Sequence, residues 1–131
     1  MATTFKAQID AFIAKTKEKV EAVFKESAQE IFSIAQTPKA QGGNMPVDTS
    51  FLRNTFQSSL NGSTALSGPD AYVAIIAGAA LGDTIFGGWT AEYALSQEYG
   101  TENMGGNFYA AKAYAQWQAT VERNAARVAA Q

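Results

Sequence analysis

The chain has 131 residues, 47% of them hydrophobic and 17% charged, with a net charge of −2 at pH 7 and a pI near 5.0. It contains no cysteine and no histidine, which excludes zinc fingers, thiol nucleophiles, Ser-His-Asp triads and imidazole proton shuttles. The length fits a single domain over residues 1–131, and the mildly acidic balance argues against a wide phosphate-gripping surface.

A long helix is expected first, from a cap at Thr3 or Thr4 to about Gln36, with neither glycine nor proline inside it. Phe5, Ile9, Phe12, Ile13, Val20, Val23, Phe24, Ile31 and Ile34 recur at three- and four-residue steps, and Thr16, Ser27 and Ala28 fill the stripe with small side chains. Lys15, Lys17, Glu18, Lys19, Glu21, Lys25, Glu26 and Glu30 occupy the opposite face, with Glu21 four residues before Lys25 in the favourable orientation for a helical ion pair. At 1.5 Å per residue such a helix is about 50 Å long. One small domain cannot cover that length, so part of the stripe is expected to meet another chain.

Thr37-Pro38 stops the helix, and residues 39–44 read as a flexible polar connector. Asp48, Thr49 and Ser50 can then cap a single turn in which Phe51 and Leu52 bury one face. Arg53 follows with a planar fork of donors suited to a carboxylate or a carbonyl. Residues 55–61 read as a strand, 62–68 as a loop and Pro69-Asp70 as a turn. Ala71–Ala77 (Ala-Tyr-Val-Ala-Ile-Ile-Ala) is apolar at every position and is expected to be a strand covered on both faces. The glycine-rich residues 81–88 lack the Lys-Ser/Thr of a phosphate cradle and are expected to form a mobile or tightly turning loop. Residues 89–101 suggest a short helix running into a strand end, where Gly100 turns the backbone. After a loop over 102–106, Asn107 is expected to cap a second long helix, from Phe108 to about Ala129. Its expected stripe is Tyr114, Trp117, Val121, Ala125 and Val128, widened by Phe108, Ala111 and Ala115, with Arg123 and Arg127 near its C-terminal dipole. The order predicts an α+β fold: a long N-terminal helix, a small antiparallel sheet and a C-terminal helix packed on it.

No apolar run approaches the roughly 20 residues of a bilayer span, and the N-terminus has no signal-peptide core, so synthesis in the cytosol without membrane association is expected. There is no D-x-D, no E-x-x-E pair on an apolar helix face and no P-loop. No catalytic, metal or cofactor-binding residue is therefore expected, although a carboxylate site built on Asp48, Glu92 or Glu98 stays conceivable.

Two stretches stand in a fixed order. Pro46-Val-Asp-Thr-Ser-Phe-Leu-Arg-Asn54 resembles the Pro-Val-Asp-Thr-Gly-x-Leu-Arg-x-Ser pattern of a family of tailed-phage and prophage neck proteins, and Tyr93–Thr101 resembles that family's Tyr-Ala-x-x-x-Glu-Tyr/Phe-Gly-Thr. A loop, a buried Phe and a final helix complete the likeness, so it extends over nearly the whole chain. Ser50 stands where the family has Gly, and Met104-Gly-Gly-Asn-Phe108 where it has Pro-x-x-Pro-Phe. The resemblance implies a non-enzymatic structural subunit at the phage head–tail junction, called head–tail connector, tail completion or minor tail protein in lambda-like siphophages. It implies assembly with copies of itself into a ring, six subunits by the family's tail symmetry. It also implies contact with other neck proteins and with tail-tube or tail-terminator proteins, and a lumen through which genomic DNA passes without specific binding. Its location would be the virion. The structural and interface motif then comprises Asp48, Thr49, Leu52, Arg53, Trp89, Tyr93, Glu98, Tyr99, Gly100 and Thr101, with Arg53 expected to pair with Glu98. A single-stranded nucleic-acid-binding module, stacking bases on Trp89, Tyr93, Tyr99 and Tyr109, is the alternative.

Overall fold

The computed structural model describes residues 5–46, 51–63, 65–92, 94–101 and 104–130. The expected caps at Thr3 or Thr4 and at Asp48, Thr49 and Ser50 lie outside these residues, as does Tyr93. In chain order the elements are α1 (Phe5–Gln36), α2 (Phe51–Asn54), β1 (Phe56–Leu60), β2 (Leu66–Ser67), α3 (Ala71–Ala77), β3 (Ile85–Trp89), α4 (Ala94–Tyr99), β4 (Gly100–Thr101), β5 (Met104–Gly105), α5 (Tyr109–Tyr114) and α6 (Trp117–Ala129). The fold is α+β. A three-stranded antiparallel sheet of order β2-β1-β3 and the α5–α6 pair both pack against α1 or against elements that α1 touches.

α1 ends at Gln36 as its periodicity predicts. Its two halves differ in environment. Ser27, Ala28, Ala35 and Gln36 are buried, whereas every side chain from Lys6 to Glu18 is exposed. α6 runs antiparallel to the inner half: Arg123 pairs with Glu30, and Arg127 with Glu26 one turn away in the opposite sense. Between these ion pairs the buried Asn124 amide donates to the Ser27 hydroxyl over 3.1 Å. The two arginines thus reach acids across the helix pair. They do not simply sit at the C-terminal dipole.

The second helical region departs from expectation twice. It tightens into a turn at residues 115–116, where the Gln116 N–H bonds the Ala113 carbonyl at 3.0 Å, so α5 and α6 are separate helices. Its buried face is Tyr109, Ala113, Thr120, Asn124 and Val128. The expected Tyr114 is 76% exposed, Phe108 is exposed and not the buried Phe expected, and Ala111, Ala115 and Ala125 also face outward. The periodicity is helical in both readings. The buried face is displaced because the seam against α1 is partly polar, and counting apolar residues alone misses Thr120 and Asn124.

Ala71–Ala77 is a helix, not the strand expected from its composition. Seven consecutive apolar residues satisfy either period, and here Tyr72 and Ile76, four apart, are buried while Val73 and Ala74 are exposed. The third strand comes instead from the glycine-rich segment. β3 pairs with β1 from Phe56↔Trp89 to Leu60↔Ile85, fixed by the buried Ser58 hydroxyl donating to the Phe86 carbonyl at 2.7 Å. Gly87 is glycine for a steric reason: a Cβ there would lie 2.4 Å from the Phe32 ring and 2.8 Å from that of Phe56. Before β3, the loop is clasped rather than loose. Asn61 donates to Asp83 at 3.0 Å and accepts from the Thr84 N–H at 2.7 Å. The Asn61 amide, then the Ala80 N–H, hold the Asp83 carboxyl below its usual range. Residues 39–44 are likewise ordered, with a 3-10 turn at Lys39–Gln41 and a parallel bridge between Pro38 and Met45.

Two apolar clusters form the interior. Ala28, Phe56, Tyr72 and Ile76 make one; Met45, Leu52, Ala91 and Tyr109 make the other. Trp89 packs against both, its ring centroid 5.4 Å from that of Phe56 and 4.8 Å from that of Tyr109 in edge-to-face arrangements.

Candidate interaction surface

The signature residues divide between interior clamps and one outward patch. Leu52 is buried in the second cluster. Arg53 donates from Nε to the Gln36 carbonyl at 2.9 Å and stands 3.9 Å from the Asp70 carboxylate. Glu98 is buried and accepts the Ala110 and Ala111 N–H groups, one on each oxygen, both at 2.9 Å. The expected Arg53–Glu98 pair does not form. Each charge is taken up by a helix end of the right sign: the guanidinium at the carbonyl end of α1, the carboxylate at the N–H end of α5. Asn107 is accordingly not the cap of α5. Its amide donates to the Gln97 carbonyl and side chain at 3.0 Å, and Phe108 takes the cap position in a left-handed conformation.

Sequence reasoning also missed Gln36. Its buried amide donates to the carbonyls of Arg53 (3.1 Å) and Pro69 (2.8 Å) and accepts from Trp89 Nε1 at 2.8 Å. One side chain therefore joins α1 to α2, to the start of α3 and to β3. A glutamine ending a helix just before Thr-Pro gives no sequence sign of this, because its partners lie 17, 33 and 53 residues away. Tyr109 is clamped similarly, donating its hydroxyl to the Ala94 carbonyl at 2.9 Å. Burial, then the nearby Glu98 charge, then Tyr99, push its phenol up to about 12.

Of the four aromatics considered as a base-stacking platform, Tyr93 lies outside the described residues, Tyr109 is buried and Trp89 is half-buried with its N–H committed to Gln36. Tyr99 is 65% exposed, edge-on to Phe108 at 6.4 Å. The turn that follows it depends on Gly100, at φ +88°, which pairs with Gly105 across the β4–β5 ladder.

Among the described residues, two outward-facing features combine exposed apolar side chains with charge. One is the outer half of α1, here the arm, where Ile9, Phe12, Ile13 and Val20 are all exposed and Phe12 is 72% so. The arm carries Lys6, Lys15, Lys17 and Lys19 against Asp10 and Glu18, a net charge of +2 on residues 5–20 of a chain whose total is −2. The other is a groove of about 370 Å³ beside α4, lined by Ala94, Leu95, Tyr99 and Ala110 with Glu92 and Glu98 as its charged members. Leu95, 73% exposed, stands at its rim. Among the described residues, no group of three acidic side chains is placed to hold a metal ion, and no helix is long and apolar enough to cross a membrane.

Comparison of the chain with family models, with curated proteins and with solved structures finds no match.

Proposed function

We propose that this chain is a structural subunit of the head–tail junction of a tailed bacteriophage, a ring component that completes the tail or joins it to the connector, and that it is not an enzyme. The observation that carries the reading is the arm. A helix that leaves its apolar stripe uncovered over residues 6–18 has more apolar surface than its own domain uses, as a subunit completed by neighbours does. The resemblance of residues 46–54 and 93–101 to the neck-protein family supplies the setting. The partners are then copies of itself, other neck proteins and tail-tube or tail-terminator proteins, with DNA passing through the lumen unbound. No cofactor enters this role.

The test is direct. Averaged images of purified phage necks, with native mass spectrometry of the complexes released from them, should find the chain in several copies arranged as a closed ring. Terminase, portal and capsid genes should lie upstream of its gene and tail-tube genes downstream. A chain absent from the neck, or one that stays monomeric when bound to tail or connector partners, overturns the proposal.

A further inference from the structure

The arm and the groove beside α4 are both apolar and exposed, and their exposed charges are of opposite sign. Ile9, Phe12 and Ile13 lie within about one turn of one another on a segment of net charge +2. The groove has an apolar floor, and of its two acidic lining residues Glu92 is the exposed one, the Glu98 carboxylate being taken up by the Ala110 and Ala111 N–H groups. Within one copy the arm's side chains are exposed, so the groove of the same copy is not their seat. Pairing like with like is unfavourable on either side: two arms bring +2 against +2, and two grooves bring Glu92 against Glu92. Unlike pairing removes both conflicts.

We infer that the arm of one copy seats in the α4 groove of a second copy, with Phe12 entering between Leu95 and Tyr99 and Lys15, three residues further along the helix, meeting Glu92. The contact joins two different patches, so it propagates head to tail, and it closes into a ring where the rotation between copies allows. It deepens the ring reading and rests on that reading only for closure.

The absence of cysteine gives a clean background for the test. Phe12→Cys and Leu95→Cys each replace an exposed side chain, so both variants keep the parent's circular dichroism and melting profile. Mixed and oxidised, they form an intermolecular disulfide between the two variants, at a yield well above that of either alone. Glu92→Lys in the Leu95→Cys partner lowers that yield about tenfold, because it places a cation beside the arm's lysines. A mixture giving no disulfide above the single-variant background overturns the inference. Self-linking of Phe12→Cys alone at equal yield overturns it too, since it assigns the arm to a second arm. Putting both cysteines in one chain and oxidising assembled necks separates the two proposals. A ring that contains the chain yet does not link sinks this contact and leaves the ring reading intact. Linking in solution by a chain missing from necks sinks the ring reading and leaves the contact standing.

Discussion

Replacing Gln36 by leucine keeps most of its volume but leaves the Trp89 N–H and the carbonyls of Arg53 and Pro69 without their partner. Unpaired buried polar groups cost about 1–3 kcal/mol each, so urea unfolding should record a loss of about 3 kcal/mol even if water reaches part of the site. Tyr109 gives a second prediction, in pH. Its phenol titrates near 10 in the unfolded chain and at about 12 in the fold. The raised folded value means its stabilising contribution is complete below pH 10 and lost as pH rises to 12, on the order of 1–2 kcal/mol after solvent screening is discounted. Tyr109→Phe should be about 1 kcal/mol less stable than the parent at pH 9, for want of the bond to Ala94, and should lose that deficit by pH 11.5. Parallel pH profiles for the two proteins would assign the alkaline loss to other groups.

At the scale of elements, the packing of β3 on α1 is decided by a hydrogen atom. Gly87→Ala would push a methyl into the rings of Phe32 and Phe56, a form of overpacking that costs typically 1–3 kcal/mol. A Cβ at the adjoining Gly88 meets nothing within 4 Å, so Gly88→Ala should change stability by less than about 0.5 kcal/mol. Thermal melts of the two variants check the pair, and equal effects would contradict the placement of β3. This strand also marks where sequence reasoning stops. α1 is legible because its apolar residues keep one period over 32 positions with no breaker. Residues 56–60 are legible from composition, as is the short helix over 94–99. Ile85–Gly88 reads as the end of a glycine-rich loop because glycine disfavours strands, and the reason for the glycine at 87, two rings above it, exists only after folding. Ala71–Ala77 fails for the opposite reason, since too few residues carry the pattern to separate a period of two from one of 3.6. Arg53 and Glu98 each found a helix end instead of one another, which no count of opposite charges reveals.

For the molecule as a whole, the contrast between the two halves of α1 should be visible in amide exchange. A free helical segment of about a dozen residues is marginal in water, while residues 22–36 are backed by α3, α5 and α6. In the isolated chain, amides of residues 6–18 should therefore exchange orders of magnitude faster than those of 24–36, and should slow on assembly. Equal, strong protection of both halves in the isolated protein would mean that the arm is already covered. Truncation to remove the arm should leave the unfolding free energy of the remainder within about 0.5 kcal/mol of the parent, because none of the described side chains it removes, from Lys6 onward, is buried.

Trp89, edge-on to Phe56 on one side and to Tyr109 on the other, is also an optical probe placed where the two interior clusters touch. The chain has one other tryptophan, and Trp117→Phe would leave Trp89 as the dominant emitter. Its indole N–H is held by Gln36, so water reaching either cluster should shift its emission to the red. If the clusters part separately, the emission of that variant moves in two stages along a urea gradient, and Gln36→Leu moves only the stage in which the α1 side opens. If they part together, a single shift follows, and the indole has recorded that the interior behaves as one cooperative unit although it is packed as two.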